Sequence, residues 1–404
     1  MVWDDPFEVL RELLKTYSVT SGPLPFVGGA VGYFSYDLCH FIEQLPVTAR
    51  DDLQLPECYF AFYDALLAVD HQEGKTYILS TGFPRREPGS QRREAEERLK
   101  EIELRLLTPP PAGELEPATP EVSSELSLSS NFDRSSYLRA VEIARKYIAA
   151  GDIFQVNLSQ RFETALPFSP YELYRRLRRI NPAPFAAYLN LDGVSVVSAS
   201  PERFLRLQGD RVETRPIKGT RPRGRTAAED TALAEELRHS IKDKAEHVMI
   251  VDLERNDLGR VCRFGTVRVR ELMTLETYAT VFHLTSTVEG RLRPDKDRID
   301  LIKACFPGGS ITGAPKVRSM EIIDELEPTR RSLYTGALGY LSFDGGLDLN
   351  IVIRTIIVKE GRAYFQVGGG IVYDSDPEAE YQETLDKAEA LFRALRLSPE
   401  LEAV

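Results

Sequence analysis

The sequence predicts an α+β protein, with long strands returning through hairpins and amphipathic helices outside them. Three observations carry that expectation. AAYLNL and VSVVS are strand-like runs joined by the turn pair Asp192-Gly193. Residues 334–343, 349–358 and 362–367 read as three strands joined by DGG and KEG turns, an antiparallel meander. Elsewhere apolar residues recur at helical spacing, as in Tyr137, Val141, Ala144 and Ile148.

Read in order, residues 59–71 and 76–81 form two strands turned through Glu73 and Gly74. Residues 90–107 are heavily charged, with Leu99, Ile102 and Leu106 at helical spacing, and predict a surface helix. Residues 108–130, TPPPAGELEPATPEVSSELSLSS, are dominated by proline and serine and predict a linker. Asp133 caps the next helix and Gly151 ends it. RVETRPI is a strand leading into a basic loop, residues 218–225. Residues 229–251 read as one helix with Leu233, Leu237, Ile241 and Val248 on a common face. The last helix opens at Ser375 or Asp376, takes Pro377 at its first position and runs to Leu395.

Composition excludes several classes. With 42% apolar and 28% charged residues, the 404-residue chain suits a soluble globular protein of one large domain or a few smaller ones. A net charge of −11 and scattered basic residues argue against a nucleic-acid partner. No apolar run is long enough to span a bilayer, so no membrane partner is expected. MVWDDPFEVL has no secretory h-region, and Cys39, Cys58, Cys262 and Cys305 form no C-x-x-C pair. Reduced thiols in a cytoplasmic protein are the expectation.

Some segments carry chemistry. GGSITGAPK, residues 308–316, reads either as an anion cradle at a helix start or as a tight, well-capped turn. It is not a phosphate P-loop, because Ala314 and Pro315 stand where Lys and Ser/Thr are needed. In PIKGTRPRGR, Lys218 sits on a stiff turn near Arg215, Arg221, Arg223 and Arg225. Those cations would lower its pKa and free an attacking amine, unless the segment is simply a solvated basic loop. Glu202 follows a strand directly, while Glu246 and Glu383 lie in helical segments. Two such glutamates can hold magnesium if the fold unites them; read singly, each is an ordinary solvated helix residue. His283 alone suits a core position as well as a functional one.

SASPERF, PIKGTRPRG, DLERNDLGRV, HLTSTVEG, FPGGSITGAPKVRSMEIIDELEP, TGALGYLSFDGGLDLNIVIRT and GGGIVYDSDPEAEYQETLDKA occur in that order. Together they resemble the chorismate-utilising enzymes. The likeness runs from about residue 131 to 395, with a weaker echo in PFVGGAVGYFSYDL. It implies a two-layer antiparallel β-sandwich flanked by helices, with the active site between the layers. It also divides the chain: residues 1–107 as the N-terminal part of the sandwich, 108–130 as linker, and 131–404 as the chorismate-binding catalytic region. Relatives carry several dozen residues ahead of a segment like DPFEVLRELL, so a shortened family N-terminus is expected, which bears on tryptophan binding.

Within the family, members that add water to chorismate use a lysine base where this chain has Gln155. Glutamine takes no proton at neutral pH, which favours the aminating branches. Lys218, in PIKGT, resembles the branch that forms aminodeoxychorismate; the anthranilate-forming branch has alanine there. The resemblance then implies chorismate held through Mg2+ on Glu246 and Glu383, attack by Lys218, and proton donation by Glu202. It also implies substrate contacts from Ser310, Tyr334, Arg354, Gly370 and His283. No cysteine has the glycine-flanked context of an amidotransferase nucleophile, so ammonia is expected from a separate glutamine amidotransferase subunit. The alternatives are anthranilate formation or a non-catalytic glutaminase-binding partner.

Overall fold

The computed structural model describes residues 5–108, 127–278 and 281–397. Among these residues two large antiparallel sheets face each other. The nine-stranded sheet runs Ile217–Pro222, Val281–Arg291, Arg211–Arg215, Arg203–Gln208, Leu347–Ile351, Ala337–Ser342, Gly29–Phe34 and Cys58–Tyr63, with Arg268–Thr277 paired to Val281–Arg291. The seven-stranded sheet runs Gly313–Ala314, Gln155–Ala165, Arg362–Ile371, Thr355–Lys359, Val194–Ser200 and Phe185–Leu191, with Ser129–Ser130 beside Gln155–Ala165. Val196 and Ile357 of one sheet pack with Tyr33 and Leu338 from the other, and with Val352 just beyond the strand Leu347–Ile351, which fixes the interior between them. The expected α+β sandwich is the observed architecture.

Helices cover the outer faces. Pro170–Ile180 and Pro377–Leu395 lay Leu173, Leu177, Leu391 and Phe392 on the smaller sheet. There Phe162, Phe365 and Phe392 form an aromatic trio with centroids 5.4–5.5 Å apart. The predicted caps hold. Asp133 accepts from Ser136 N at 2.6 Å, Gly151 closes its helix at φ 84°, and Asp376 accepts from Ala379 N at 2.9 Å. The charged helix, Pro88–Leu107, has no buried residue and lies against the two-stranded sheet of Ala65–Asp70 and Lys75–Ser80.

Several expectations need correction, and in two of them a run that looks continuous is broken where the chain changes sheet. Residues 59–71 are two strands, Cys58–Tyr63 and Ala65–Asp70, interrupted at Asp64 and belonging to different sheets. Residues 349–358 likewise split between Leu347–Ile351 and Thr355–Lys359, in opposite sheets. The predicted helix over 229–251 is two helices, Ala227–His239 and Ile241–Gly259. Ser240 ends the first and caps the second, accepting from Asp243 N at 3.2 Å. The restart rotates the second helix, so Ile241 and Val248 are exposed and His247, Ile250 and Val251 face inward. The basic loop at 218–225 is partly a strand, Ile217–Pro222, paired with Val281–Arg291. Residues 109–126 of the predicted linker lie outside the described residues.

One ion pair braces the interior. Arg331 and Glu327 are each 1% exposed in their side chains and meet at 2.7 Å and 2.9 Å. Arg331 also donates to the carbonyls of Ile311 and Asn157, while Glu327 accepts from Ser159 N and Oγ. These bonds tie the helix Lys316–Leu326 and its preceding turn to the strand Gln155–Ala165. Breaking one half leaves a buried charge alone. Glu327→Ala is therefore expected to cost about 3–5 kcal/mol in urea unfolding, against under about 0.5 kcal/mol for an exposed pair member such as Glu12→Ala.

Candidate active site

Two chain crossings between the sheets lie side by side. Val194–Ser200 passes through Pro201 and Glu202 into Arg203–Gln208, and Leu347–Ile351 passes through residues 352–354 into Thr355–Lys359. They are pinned together. Ile351 N donates to Glu202 O at 3.0 Å, Ser200 Oγ to Ile351 O at 2.6 Å, and Ala199 N to Arg354 O at 3.1 Å. Arg354 holds a left-handed φ of 50°, a conformation an arginine adopts only when its surroundings impose it. Glu202 and Arg354 are thus brought to one seam by topology.

Around Glu202 the other groups gather. Its side chain accepts Ser310 Oγ–H at 2.6 Å and Ile217 N–H at 3.4 Å, both on Oε1. Burial pushes its carboxyl up to about 7, against the opposing pull of the Ser310 hydrogen bond, Lys218, Ile217 N–H and Arg354. Arg354 makes no ion pair or side-chain hydrogen bond among the described residues, and burial lowers its pKa while Glu202 raises it. An unengaged guanidinium at a seam between sheets is a ready partner for an anionic ligand. His283 bonds Thr220 Oγ1 through Nδ1 at 2.9 Å, while its buried Nε2 has no partner. Burial and then Arg354 push the imidazole down to about 3, so it is neutral.

Lys218 lies one residue beyond Ile217. Its ammonium forms no ion pair among the described residues, and burial lowers its pKa; Glu246, Glu202 and Glu383 oppose that shift while Lys387 adds to it. The neighbouring arginines do not supply the effect expected from the sequence. Arg215 pairs with Glu276, Arg221 with Glu236 and Asp243, and Arg223 with Asp230, so each is neutralised locally. Gly370 gives Gln155 its space beside Lys218. A Cβ there would fall 2.1 Å from Gln155 Nε2 and 3.6 Å from Lys218 Nζ. Gln155 in turn donates to Glu246 Oε2 at 3.2 Å. Gly370→Ala is expected to displace Gln155 and break its hydrogen bond to Glu246, lowering turnover at this site by about ten- to a hundredfold, the fold remaining intact by circular dichroism.

The carboxylates form the floor. Glu246 and Glu383 stand close enough to perturb each other and Lys218. Burial raises the Glu246 carboxyl; for Glu383 burial acts the same way, but Lys387, Lys242 and Lys218 outweigh it and hold it low. Lys387 Nζ meets Glu383 Oε1 at 2.6 Å and Gly368 O at 2.8 Å. Glu380, absent from the sequence-based candidates, joins them. It is 3% exposed, accepts Ser375 Oγ–H at 2.6 Å on Oε1, and leaves Oε2 buried without a partner. Its spacing three residues before Glu383 on a helix was the available signal. An orphaned carboxylate oxygen beside an all-oxygen donor set fits a hard divalent cation, although no group of three acidic, His or Cys residues closes into a cage among the described residues.

The glycine-rich turn at 308–316 is engaged by the protein's own buried carboxyls. Gly309 N donates to Glu254 and Ser310 Oγ to Glu202. Tyr334 is buried, with Arg331 5.7 Å from its ring and its own N–H donating to Arg331 O at 3.0 Å.

A buried carboxyl, an unpaired amine and a group of further carboxyls thus lie within electrostatic reach of one another. The chain belongs to the chorismate binding enzyme family, whose model matches residues 4–393. It is 46% identical to aminodeoxychorismate synthase component 1 of Bacillus subtilis over 398 residues, 98% of this chain and 83% of that protein. It is 45% identical to anthranilate synthase component 1 of Acetivibrio thermocellus over 401 residues, 98% of this chain and 81% of that one. The crystal structure of anthranilate synthase component I from Streptococcus pneumoniae superposes with a TM-score of 0.85 at 36% identity, covering 96% of this chain and 85% of the other. Among the described residues no helix is long and apolar enough to cross a membrane.

Proposed function

We propose that this chain aminates chorismate at ring C4, forming 4-amino-4-deoxychorismate for 4-aminobenzoate and folate synthesis. The observation that carries this reading is Lys218: an unpaired amine with a burial-lowered pKa, one residue from the backbone N–H that holds Glu202. Arg354, Ser310, Gly370, Tyr334 and His283 are proposed to receive the substrate's carboxylates and ring. Glu246 and Glu383, with Glu380 beside them, would hold Mg2+, which when bound neutralises the ring carboxylate and polarises the ring.

Lys218 Nζ attacks ring C2 as a free amine, the ring double bonds shift, and the C4 hydroxyl leaves as water with the proton of Glu202. Ammonia then attacks C4, and the bond from C2 to Lys218 breaks. Glu202, now a carboxylate, takes the surplus proton of the incoming nitrogen. The lysine occupies C2 during the second step, so nitrogen arrives at C4 rather than at C2. Gln155 supports amination over water addition, because an amide provides no base to activate water. Ammonia is proposed to come from a separate glutaminase subunit in the cytoplasm.

The test is incubation with chorismate, magnesium and ammonium salt, with and without an added aminodeoxychorismate lyase, products read by mass spectrometry. 4-Aminobenzoate formed only with the lyase supports this reading. Anthranilate formed without it would assign amination to C2, the second reading, which the full-length likeness to anthranilate synthase component 1 favours. Untouched chorismate would leave only a binding role.

A further inference from the structure

Glu254 is a buried carboxyl, 2% exposed, that the proposed reaction does not use. It lies on the helix Ile241–Gly259 in the inward stripe of His247, Ile250, Val251, Glu254, Asp257 and Leu258. A carboxyl in a packing stripe persists only with bonded partners. Its Oε1 accepts Gly309 N–H at 3.0 Å, and its Oε2 meets Thr214 Oγ1 at 3.5 Å.

Both partners lead straight to the acid and the amine. Gly309 precedes Ser310, whose hydroxyl donates to Glu202 Oε1 at 2.6 Å. Thr214 lies on the strand Arg211–Arg215, which runs through Pro216 into Ile217 and Lys218. The register of that strand against Arg203–Gln208 shifts between Glu213 and Arg215, where Thr214 alone stands opposite two residues of the partner strand, Phe204 and Leu205. The turn fits closely: a Cβ on Gly309 would fall 2.6 Å from Leu253 and 3.2 Å from Glu254 Oε1.

We propose that Glu254 is a positioning residue, whose carboxyl clamps the Gly309–Ser310 turn to the strand at Thr214 and, through Ser310, sets the proton affinity of Glu202. The consequence for turnover rests on the acid role proposed for Glu202; the clamp itself does not. Charge balance favours a neutral carboxyl here. Asp257 and Lys316 already pair at 2.5 Å, with Lys316 also donating to Cys305 O at 2.8 Å. Glu254 has no cation of its own, and burial, then Asp257, pushes it up to about 8, with Lys316 and Gly309 N–H opposing and Glu202 adding a smaller push. The carboxyl accepts Gly309 N–H on Oε1 and the Thr214 hydroxyl on Oε2, and glutamine keeps both contacts, its amide oxygen accepting from Gly309 and its amide N–H donating to the rotatable Thr214 hydroxyl.

Two variants isolate the role. Glu254→Met keeps the volume without the hydrogen bonds; Glu254→Gln keeps both. In protein carrying 13C at the glutamate side-chain carboxyls, the Glu202 resonance is assigned from its loss in Glu202→Gln and followed against pH. Lys218, Arg354 and the Ser310 hydroxyl face Glu202 and favour its charged form. Loosening Ser310 therefore raises its midpoint. The expected rise in Glu254→Met is about half a pH unit or more, with Glu254→Gln at the wild-type midpoint. The fall in chorismate turnover at high pH should move upward with it. An unchanged midpoint in folded Glu254→Met, or a shifted one in Glu254→Gln, overturns the proposal; the glutamine arm decides it alone if the methionine variant does not fold. Failure of wild-type protein to consume chorismate would sink the functional reading, whereas the titration is read without turnover.

Discussion

Replacing Lys218 by alanine is expected to reduce 4-amino-4-deoxychorismate formation by more than about a hundredfold, the low end of what a positioned catalytic group contributes. Arginine should not rescue it, because a guanidinium does not release a proton near neutral pH and cannot attack carbon. A lyase-coupled assay measures the loss. A second readout tests the covalent step itself. Without ammonia, wild-type protein should gain the mass of chorismate less one water, located on the peptide containing Lys218, and Lys218→Ala should gain none. Full activity in the alanine variant would sink the mechanism. Stability should move the other way. Burial lowers the ammonium's pKa, so between its folded and unfolded values the unfolded chain binds more protons, and stability rises with pH through that range. On the acid side of that range the protonated amine is a net cost to folding, and removing it is expected to leave the melting temperature equal or higher there.

The layers and most caps were legible because they follow from local chemistry: Asp133, Gly151, Asp192-Gly193 and Asp376 each satisfy backbone groups next to them. What the sequence hid were the places where a strand leaves one sheet for the other. Residues 349–358 read as one strand because β-branched and apolar residues continue through the crossing, yet residues 352–354 break it and carry Arg354 into the seam. The lowered pKa of Lys218 was expected for a partly wrong reason. Clustered arginines suggested a lowered pKa, but carboxylates paired with Arg215, Arg221 and Arg223 remove their influence, and burial supplies the shift instead. Glu254 and Glu380 were missed because an acidic residue on a helix is ordinarily solvated. Only the inward stripe of a helix whose start was misplaced at Ser240 would have marked Glu254 as buried.

Glu202→Gln is expected to lower turnover by about 10²–10⁴, the usual contribution of a general acid, and to abolish the decline in rate that wild type should show as pH rises through about 7. That decline follows from the carboxyl having to carry a proton to give one to the departing hydroxyl. The same variant should be more stable than wild type in alkaline buffer. Burial raises the folded pKa of Glu202 from 4.5 to about 7, so over that interval the folded chain binds the extra proton. Stability is therefore fully present below the unfolded value and lost as pH climbs through about 7. The shift corresponds to a destabilisation of about 3 kcal/mol at pH 8, order of magnitude, which an uncharged amide with the same acceptor for Ser310 and Ile217 avoids. Urea unfolding at pH 5 and pH 8 reads both ends: near-equal stabilities at the lower pH, and the glutamine variant ahead at the higher. A glutamine variant less stable at pH 8, or one with an unchanged pH–rate profile, would remove Glu202 from the acid role. The two outcomes are linked, because the burial that keeps this carboxyl protonated near neutral pH is the same burial that makes its ionised form costly to fold around.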